Sequence, residues 1–190
     1  FVVLIAGGVL WEWNRLVGRF GISPVGEVAW LFGGVVYVGA AAYALLVVRN
    51  GVQLLPVGGQ SVGYGPVEVL IGFIAPIVAV DVGAYFAGRA IGGPRIAPAI
   101  SPSKTWAGFA GGALAAALVA LSIELADFGP AARPGFSLAS LGLALVAGVL
   151  IAAIAQAGDF FESWMKRRAG VKDSSGLIPG HGGLFDRLDG

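Results

Sequence analysis

The sequence contains no cysteine, and this absence excludes a disulfide framework, a metal-thiolate site and a thiol nucleophile. Only 12% of its 190 residues are charged, whereas ordinary soluble domains carry roughly 25%. A soluble protein with so little charge could not cover its surface, so a soluble enzyme is excluded. Neither GxxxxGK[S/T] nor GxGxxG occurs, which excludes a P-loop and a Rossmann nucleotide site.

The sequence is instead rich in long apolar runs. Hydrophobic residues make up 57% of the chain, and the mean hydropathy is +0.84. The 32 glycines suit close-packed membrane helices, in which small residues let backbones approach. We therefore predict an all-α, polytopic transmembrane helix bundle, built as a single integral-membrane domain over residues 1–190.

The apolar runs predict about five spans. These are a partial span at 1–10 and further spans at 28–48, 66–91, 106–126 and 137–157, followed by a polar segment at 158–190. Because about 20 residues are needed to cross a bilayer, the short first run indicates a fragment of a longer chain. Trp11 and Trp13 then predict a membrane interface, and we expect loops or connections at 51–65 and 92–105.

The basic residues predict an orientation. The connections 11–27, 89–105 and 158–190 carry two, three and five Lys or Arg residues, whereas 49–65 and 127–136 carry one each. By the positive-inside rule the richer set is cytoplasmic. The compact layout favours a prokaryotic inner membrane, with the polar segment facing the cytoplasm.

The polar segment predicts a phosphate-handling site. Five basic residues, the carboxylates Asp173, Asp186 and Asp189, and the only histidine, His181, fall between Ser163 and Asp189. Cationic side chains meet phosphate charge, carboxylates hold a divalent metal, and glycines let backbone N–H groups approach an oxygen anion. Asp186 together with Asp159 or Asp189 would satisfy Mg²⁺.

Two upstream elements are candidate parts of the same site. Asp81, Tyr85 and Arg89 share one helical face by their spacing, with an Asp81–Arg89 structural pair as the alternative. The cluster at 101–105 places hydroxyls and a lysine before a helix, which suits either an anion site or a simple N-cap.

At this point the residues resemble the signature of the phosphatidate cytidylyltransferase (CDP-diacylglycerol synthase) family. The resemblance covers roughly residues 66–190, and its 27-residue hallmark reads Ser163-x-x-Lys166-Arg167-x4-Lys172-Asp173-x-Ser175-x2-Ile178-Pro179-x-His181-Gly182-Gly183-x-x-Asp186-Arg187-x-Asp189. Similar upstream elements are Asp81-x-Gly83-Ala84-Tyr85-x-x-Gly88-Arg89 and Ser101-Pro102-x-Lys104-Thr105-Trp106-x-Gly108. The sequence departs from the family at Gly190, where the family usually has serine, and in lacking the helix that normally follows.

The resemblance implies transfer of CMP from CTP to phosphatidate, with Mg²⁺ and room for a second metal ion. It implies a bilayer-embedded enzyme without nucleic-acid partners, and members of that family are often dimers. The implied catalytic set is Asp159, Lys166, Arg167, Lys172, Asp173, His181, Asp186 and Arg187. The implied substrate-binding set is Asp81, Tyr85, Arg89, Ser101, Lys104, Thr105, Ser163, Gly182 and Gly183. The implied metal ligands are Asp159 and Asp186, with Asp189 as a further candidate.

Three other interpretations stay open from the sequence. Two are related CTP-dependent enzymes: a CDP-archaeol-type synthase, and a polyprenol or phytol kinase, which would release CDP instead of pyrophosphate. The third is a non-enzymatic membrane protein whose basic segment contacts anionic lipid headgroups.

Overall fold

The computed structural model describes residues 1–57, 60–125, 137–180 and 182–187, so His181 and Asp189 lie outside the described residues. Within them the protein is built from five helices, which confirms the predicted all-α membrane fold. The helices are α1 (Val2–Val17), α2 (Pro24–Asn50), α3 (Pro66–Ala90), α4 (Trp106–Leu125) and α5 (Leu138–Arg168). The last four are long and apolar enough to cross a bilayer, and the chain is an integral membrane protein.

Two connections that the sequence predicts as irregular instead form β-hairpins. Strands β1 (Val52–Val57) and β2 (Gln60–Tyr64) pair antiparallel, and so do β3 (Arg95–Ala97) and β4 (Ser101–Thr105). The physical reason is that pairing satisfies backbone N–H and C=O groups that would otherwise need water. A Gly-Gly pair between two apolar runs is a recognised hairpin signal, and it stands at 58–59 in the sequence.

The chain divides into two compact units, Phe1–Leu46 with Gly158–Gly190, and Val47–Ala157. In the second unit, α3 and α4 pack through glycines. A Cβ added at Gly83 would lie 2.5 Å from the Gly111 carbonyl oxygen, and one at Gly112 would lie 2.8 Å from that of Val80. Only glycine permits this separation, as the high glycine content predicts.

The core of the first unit surrounds Trp13, which is only 2% exposed. Its indole N–H donates to the Trp30 carbonyl at 2.9 Å, and its ring packs against Tyr37, Phe161 and Phe185. The partial span predicted at 1–10 stays a prediction, and Trp13, predicted at a membrane interface, packs inside this core. Apolar residues at Val9, Trp13, Leu16 and Val17 form one helical face, so the helix continues to Val17 and buries that face.

The span predicted at 137–157 and the first part of the polar segment lie on one helix. Helix α5 runs without interruption to Arg168, because the sequence has no proline between Leu138 and Arg168 to end it. Asp159, Ser163 and Lys166 therefore stand on the same continuous helix as the apolar residues before them.

Candidate active site

The polar segment begins at a sharp helix end. The N–H of Val171 donates to the Lys166 carbonyl at 2.9 Å and that of Gly170 to the Arg167 carbonyl at 3.1 Å. Gly170 has φ +69°, so it supplies the left-handed residue of a Schellman motif. This termination turns the chain back, and the following residues return to the side chain of Lys166.

Lys166 and Asp186 form the centre of the site. The Lys166 ammonium lies 2.9 Å from Asp186 Oδ1 and 2.7 Å from Glu162 Oε2. The side chains of Lys166 and Asp186 are only 14% and 10% exposed, and that of Glu162 is 2% exposed. One lysine thus lies between two carboxylates that are largely removed from water, where such contacts are stronger than at an open surface.

Asp186 also accepts hydrogen bonds from the loop before it. The backbone N–H of Ser174 donates to Oδ2 at 2.9 Å, its hydroxyl lies at 2.9 Å, and the N–H of Gly183 donates at 2.7 Å. Burial alone would raise the pKa of Asp186, but the bonds from Gly183, Lys166 and Ser174 outweigh it and hold the pKa well below its ordinary range. Asp186 is consequently a fixed anion at neutral pH.

Glycines at 182 and 183 make this arrangement possible. Gly182 has φ +79°, and its carbonyl accepts from the Ile178 N–H at 2.8 Å. A Cβ at Gly183 would lie 2.6 Å from Glu12 Oε2. The sequence predicts that amides here bind an oxygen anion, and the described amides of residues 183–185 do so with carboxylates of the chain itself.

Glu12 is a residue of this site that the sequence motifs do not predict. It lies on α1 with 0% exposure and accepts four hydrogen bonds from the segment 174–185. The signal that could have found it is a carboxylate on the apolar face of an amphipathic helix, between Val9 and Leu16. A charge is almost never fully buried unless it is paired or hydrogen-bonded, so its position on that face predicts donors nearby.

The other predicted residues of the polar segment differ in their exposure. Asp159 is half-buried and shares a face of α5 with Glu162 and Lys166 by i, i+3, i+7 spacing. Ser163 is half-buried as well. The exposed members of the predicted set are Arg167, Lys172, Asp173 and Arg187. Three of these exposed residues, Arg167, Lys172 and Arg187, are cations, and such side chains bind anions through charge-assisted hydrogen bonds.

Arg168 differs from its neighbours. Its guanidinium lies over the rings of Phe20 and Trp164, at 5.3 and 5.8 Å from their centroids. This cation–π contact fixes the side chain against the aromatic core. Arg168 is therefore engaged in packing against these aromatic rings.

The upstream candidates belong to the second unit and form contacts of their own. Arg89 donates to the Tyr85 hydroxyl at 2.9 Å, and within the described part of the chain no ion pair joins it to Asp81. The Thr105 hydroxyl accepts from the Gly108 N–H at 3.1 Å, so Thr105 serves as the N-cap of α4. Ser101 and Lys104 lie on β4.

The chemistry of the donors fits a hard cation, although the described residues contain no cluster of three or more acidic or histidine side chains arranged around one point. Carboxylate oxygens are the ligands that Mg²⁺ takes, usually one or two with substrate phosphates and water. Asp186 already meets one cation, the Lys166 ammonium. Asp159, the other predicted ligand among the described residues, lies on the same face of α5 as Lys166.

The fold and the site define an integral membrane protein with a Lys166–Asp186 ion pair in a segment that also carries exposed cations. Comparison with known proteins assigns this membrane protein to a family. Residues 34–190 match the model of the cytidylyltransferase family, and the chain belongs to that family. This confirms the resemblance that the sequence motifs indicate.

Several bacterial relatives carry the name phosphatidate cytidylyltransferase. That of Brucella suis is 40% identical over 161 residues, which cover 85% of this chain and 52% of the relative. That of Haemophilus influenzae is 44% identical over 115 residues, covering 58% and 37%, and that of Pseudomonas aeruginosa is 40% identical over 121 residues, covering 64% and 42%. The chain therefore spans about half the length of the curated relatives it matches, or less.

Proposed function

We propose that this chain carries the active site of a phosphatidate cytidylyltransferase, which transfers CMP from CTP to phosphatidate and releases pyrophosphate. The observation that carries the proposal is the largely buried contact between Lys166 and Asp186, in a segment of an integral membrane protein that also carries exposed cations. Membership of a nucleotide-using family and the names of its bacterial relatives support it. In this proposal, residues 1–190 form one catalytic domain.

In the proposed reaction an oxygen of the lipid phosphate attacks the α-phosphorus of CTP. A phosphorus–oxygen bond to the lipid forms, and the bond from the α-phosphorus to the bridging oxygen of the β-phosphate breaks. Pyrophosphate leaves. Because the lipid phosphate attacks CTP directly, no covalent enzyme intermediate is needed. A phosphomonoester is largely ionised near neutral pH because its second pKa is about 6, so a strong general base is unnecessary.

The residues of the chain act by position and charge. The exposed side chains of Arg167, Lys172 and Arg187 would bind phosphate oxygens. Lys166 is held beside Asp186, and its positive charge would stabilise negative charge that develops in the transition state. His181, which lies outside the described residues, would orient a phosphate. Asp173 and Ser163 remain predicted members of the site.

Asp159 and Asp186 would hold Mg²⁺, with Asp189 as a further ligand outside the described residues. When bound, the ion would neutralise phosphate charge in the transition state. Its presence, and that of a second metal ion, are parts of this proposal. The carboxylate chemistry of Asp159 and Asp186 supports it.

The remaining assignments follow from charge and composition. The excess of Lys and Arg in alternate connections favours an active site facing the cytoplasm, in a prokaryotic inner membrane. The substrate-binding residues of the proposal that lie upstream are Asp81, Tyr85, Arg89, Ser101, Lys104 and Thr105. Gly182 and Gly183 are the proposed substrate-binding residues of the polar segment. The homodimer and the absence of a nucleic-acid partner stay predictions.

Products of labelled CTP test the proposal. The purified protein in detergent receives phosphatidate, Mg²⁺ and CTP labelled in either the α- or the γ-phosphate. We expect α-label to enter the lipid together with pyrophosphate release, and EDTA to abolish the transfer. Glu68→Gln, which alters an exposed carboxylate of α3, serves as an active control. Lipid labelled only from the γ-phosphate would instead identify a lipid kinase, and no transfer to any lipid phosphate would favour a binding protein.

A further inference from the structure

Glu12 lies outside residues 34–190, the part of the chain that matches the family model. It is nevertheless among the most buried side chains of the described residues, with 0% exposure. Its position on α1 is separated by more than 160 residues from the segment it contacts. Neither the motif nor the family assignment gives it a role.

The four hydrogen bonds of Glu12 are divided evenly between its two oxygens. Oε1 accepts from the Ser175 hydroxyl at 2.5 Å and the Leu184 N–H at 2.9 Å. Oε2 accepts from the Ser174 hydroxyl at 2.9 Å and the Phe185 N–H at 2.7 Å. One carboxylate thereby holds together the two stretches 174–175 and 184–185, which are joined by the glycine-rich turn.

These two stretches also hold Asp186. The Ser174 N–H and the Gly183 N–H both donate to Asp186 Oδ2, and the Ser174 hydroxyl lies 2.9 Å from Asp186 Oδ2 as well as from Glu12 Oε2. Since that hydroxyl carries a single proton, it donates to only one of these two oxygens at a time, and both lie within hydrogen-bond distance of it. The placement of Asp186 beside Lys166 therefore depends on a loop that Glu12 closes.

We propose that Glu12 is a positioning residue for cytidylyl transfer, an inference that rests on the proposed function. It touches none of the reacting atoms. It fixes the segment 174–185 so that Asp186 and Lys166 keep the geometry that the transition state requires. Groups that orient such residues typically change activity by about 10–100-fold when they are removed.

The variant Glu12→Gln tests this with little change in shape. A glutamine has one acceptor oxygen and one NH₂ group, whereas each Glu12 oxygen receives one hydroxyl and one backbone N–H. The hydroxyl facing the NH₂ group can rotate and accept, but the backbone N–H cannot. Whichever way the amide is turned, the N–H of either Leu184 or Phe185 loses its partner.

We expect the kcat of folded Glu12→Gln protein to fall by about 10–100-fold, with a smaller change in the KM for CTP. Ser175→Ala removes one donor and leaves both backbone bonds, so its loss should be smaller. In the double variant Glu12→Gln/Ser175→Ala the two losses of kcat should not add, because both residues act through one contact. Glu68→Gln, the same chemical change at an exposed carboxylate that accepts the Gly65 N–H at 2.7 Å, is the matched control and should retain wild-type kcat.

A purely structural role predicts something different. The folded fraction would fall, and kcat per folded molecule would equal that of the wild type, which would overturn the proposal. Additive losses in the double variant would overturn it as well.

Hydrogen exchange separates this inference from the proposed function. If the wild-type protein makes no lipid-linked CMP, the proposed function fails by itself. Faster amide exchange in Glu12→Gln that is confined to residues 174–187 would still support Glu12 as the residue that orders this segment. Unchanged exchange there would remove that role whatever the activity.

Discussion

One added methyl group at Gly183 should disrupt the site more than its size suggests. A Cβ at this position would lie 2.6 Å from Glu12 Oε2 and nearer still to the Ser174 hydroxyl oxygen. Both neighbours are buried and hydrogen-bonded, so neither has an open direction in which to move. Gly183→Ala therefore forces at least one of these hydrogen-bonded groups out of place.

The expected cost has two parts, the crowding caused by the methyl group and the hydrogen bond that breaks when a neighbour moves. Overpacking a buried site costs about 1–3 kcal/mol, and breaking a hydrogen bond to a charged group costs about 1.5–3 kcal/mol. The Gly183 N–H bond to Asp186 and the Ser174 bond to Glu12 are both of this charged kind. We expect Gly183→Ala to lower the free energy of unfolding by about 3 kcal/mol, the sum of one overpacking and one hydrogen-bond contribution near their lower ends.

Gly176→Ala is the matched control, because it lies in the same segment and a Cβ there meets nothing within 4 Å. Thermal melting in one detergent at one scan rate compares the two variants with the wild type. Gly183→Ala should melt well below the wild type and lose turnover, whereas Gly176→Ala should match it in both. Equal melting temperatures for the two variants would refute the packing argument.

Three further predictions concern stability. Trp13→Ala should cost about 3–5 kcal/mol, because it empties the centre of the aromatic core and leaves the Trp30 carbonyl without its indole donor; melting at wild-type temperature would contradict this. Thr105→Ala should cost about 1 kcal/mol through loss of the cap on the Gly108 N–H, and Thr105→Ser, which keeps the hydroxyl, should restore most of it in the same melting assay. Because the pKa of Asp186 is lower in the folded protein than in the unfolded chain, its stabilising contribution is complete above the ordinary Asp pKa of about 3.9 and disappears as the pH falls towards the folded-state value. Melting temperature against pH should therefore fall more steeply on acidification in the wild type than in Asp186→Asn, and parallel curves would count against the bonds assigned to this carboxylate.

The helices of the membrane-spanning part were predictable because their cause is local. Long apolar runs need no distant partner to be recognised, and α3 and α4 lie within one residue of their predicted bounds. The motif around Lys166 and Asp186 was equally visible, since its charges stand out in an apolar chain. The structure brings these two predicted site residues into direct contact although they are 20 residues apart.

The role of α1 could not be predicted in the same way. The hydrogen-bond partners of Glu12 lie between 162 and 173 positions further along the chain. The aromatic neighbours of Trp13 come from α2, from α5 and from the segment around Phe185. No local pattern encodes contacts of that separation. Tryptophan in a membrane protein suggests an interface, and here tertiary packing overrides that tendency.

The central claim is tested most directly by the turnover of Asp186→Asn under conditions in which the wild-type protein transfers CMP to phosphatidate. The substitution keeps the shape of the side chain and removes the charge that Lys166 contacts at 2.9 Å. We predict that the variant folds, as judged by its melting transition, and that turnover is abolished. Near-normal turnover by folded Asp186→Asn would contradict the claim that this carboxylate and its lysine form the site of cytidylyl transfer.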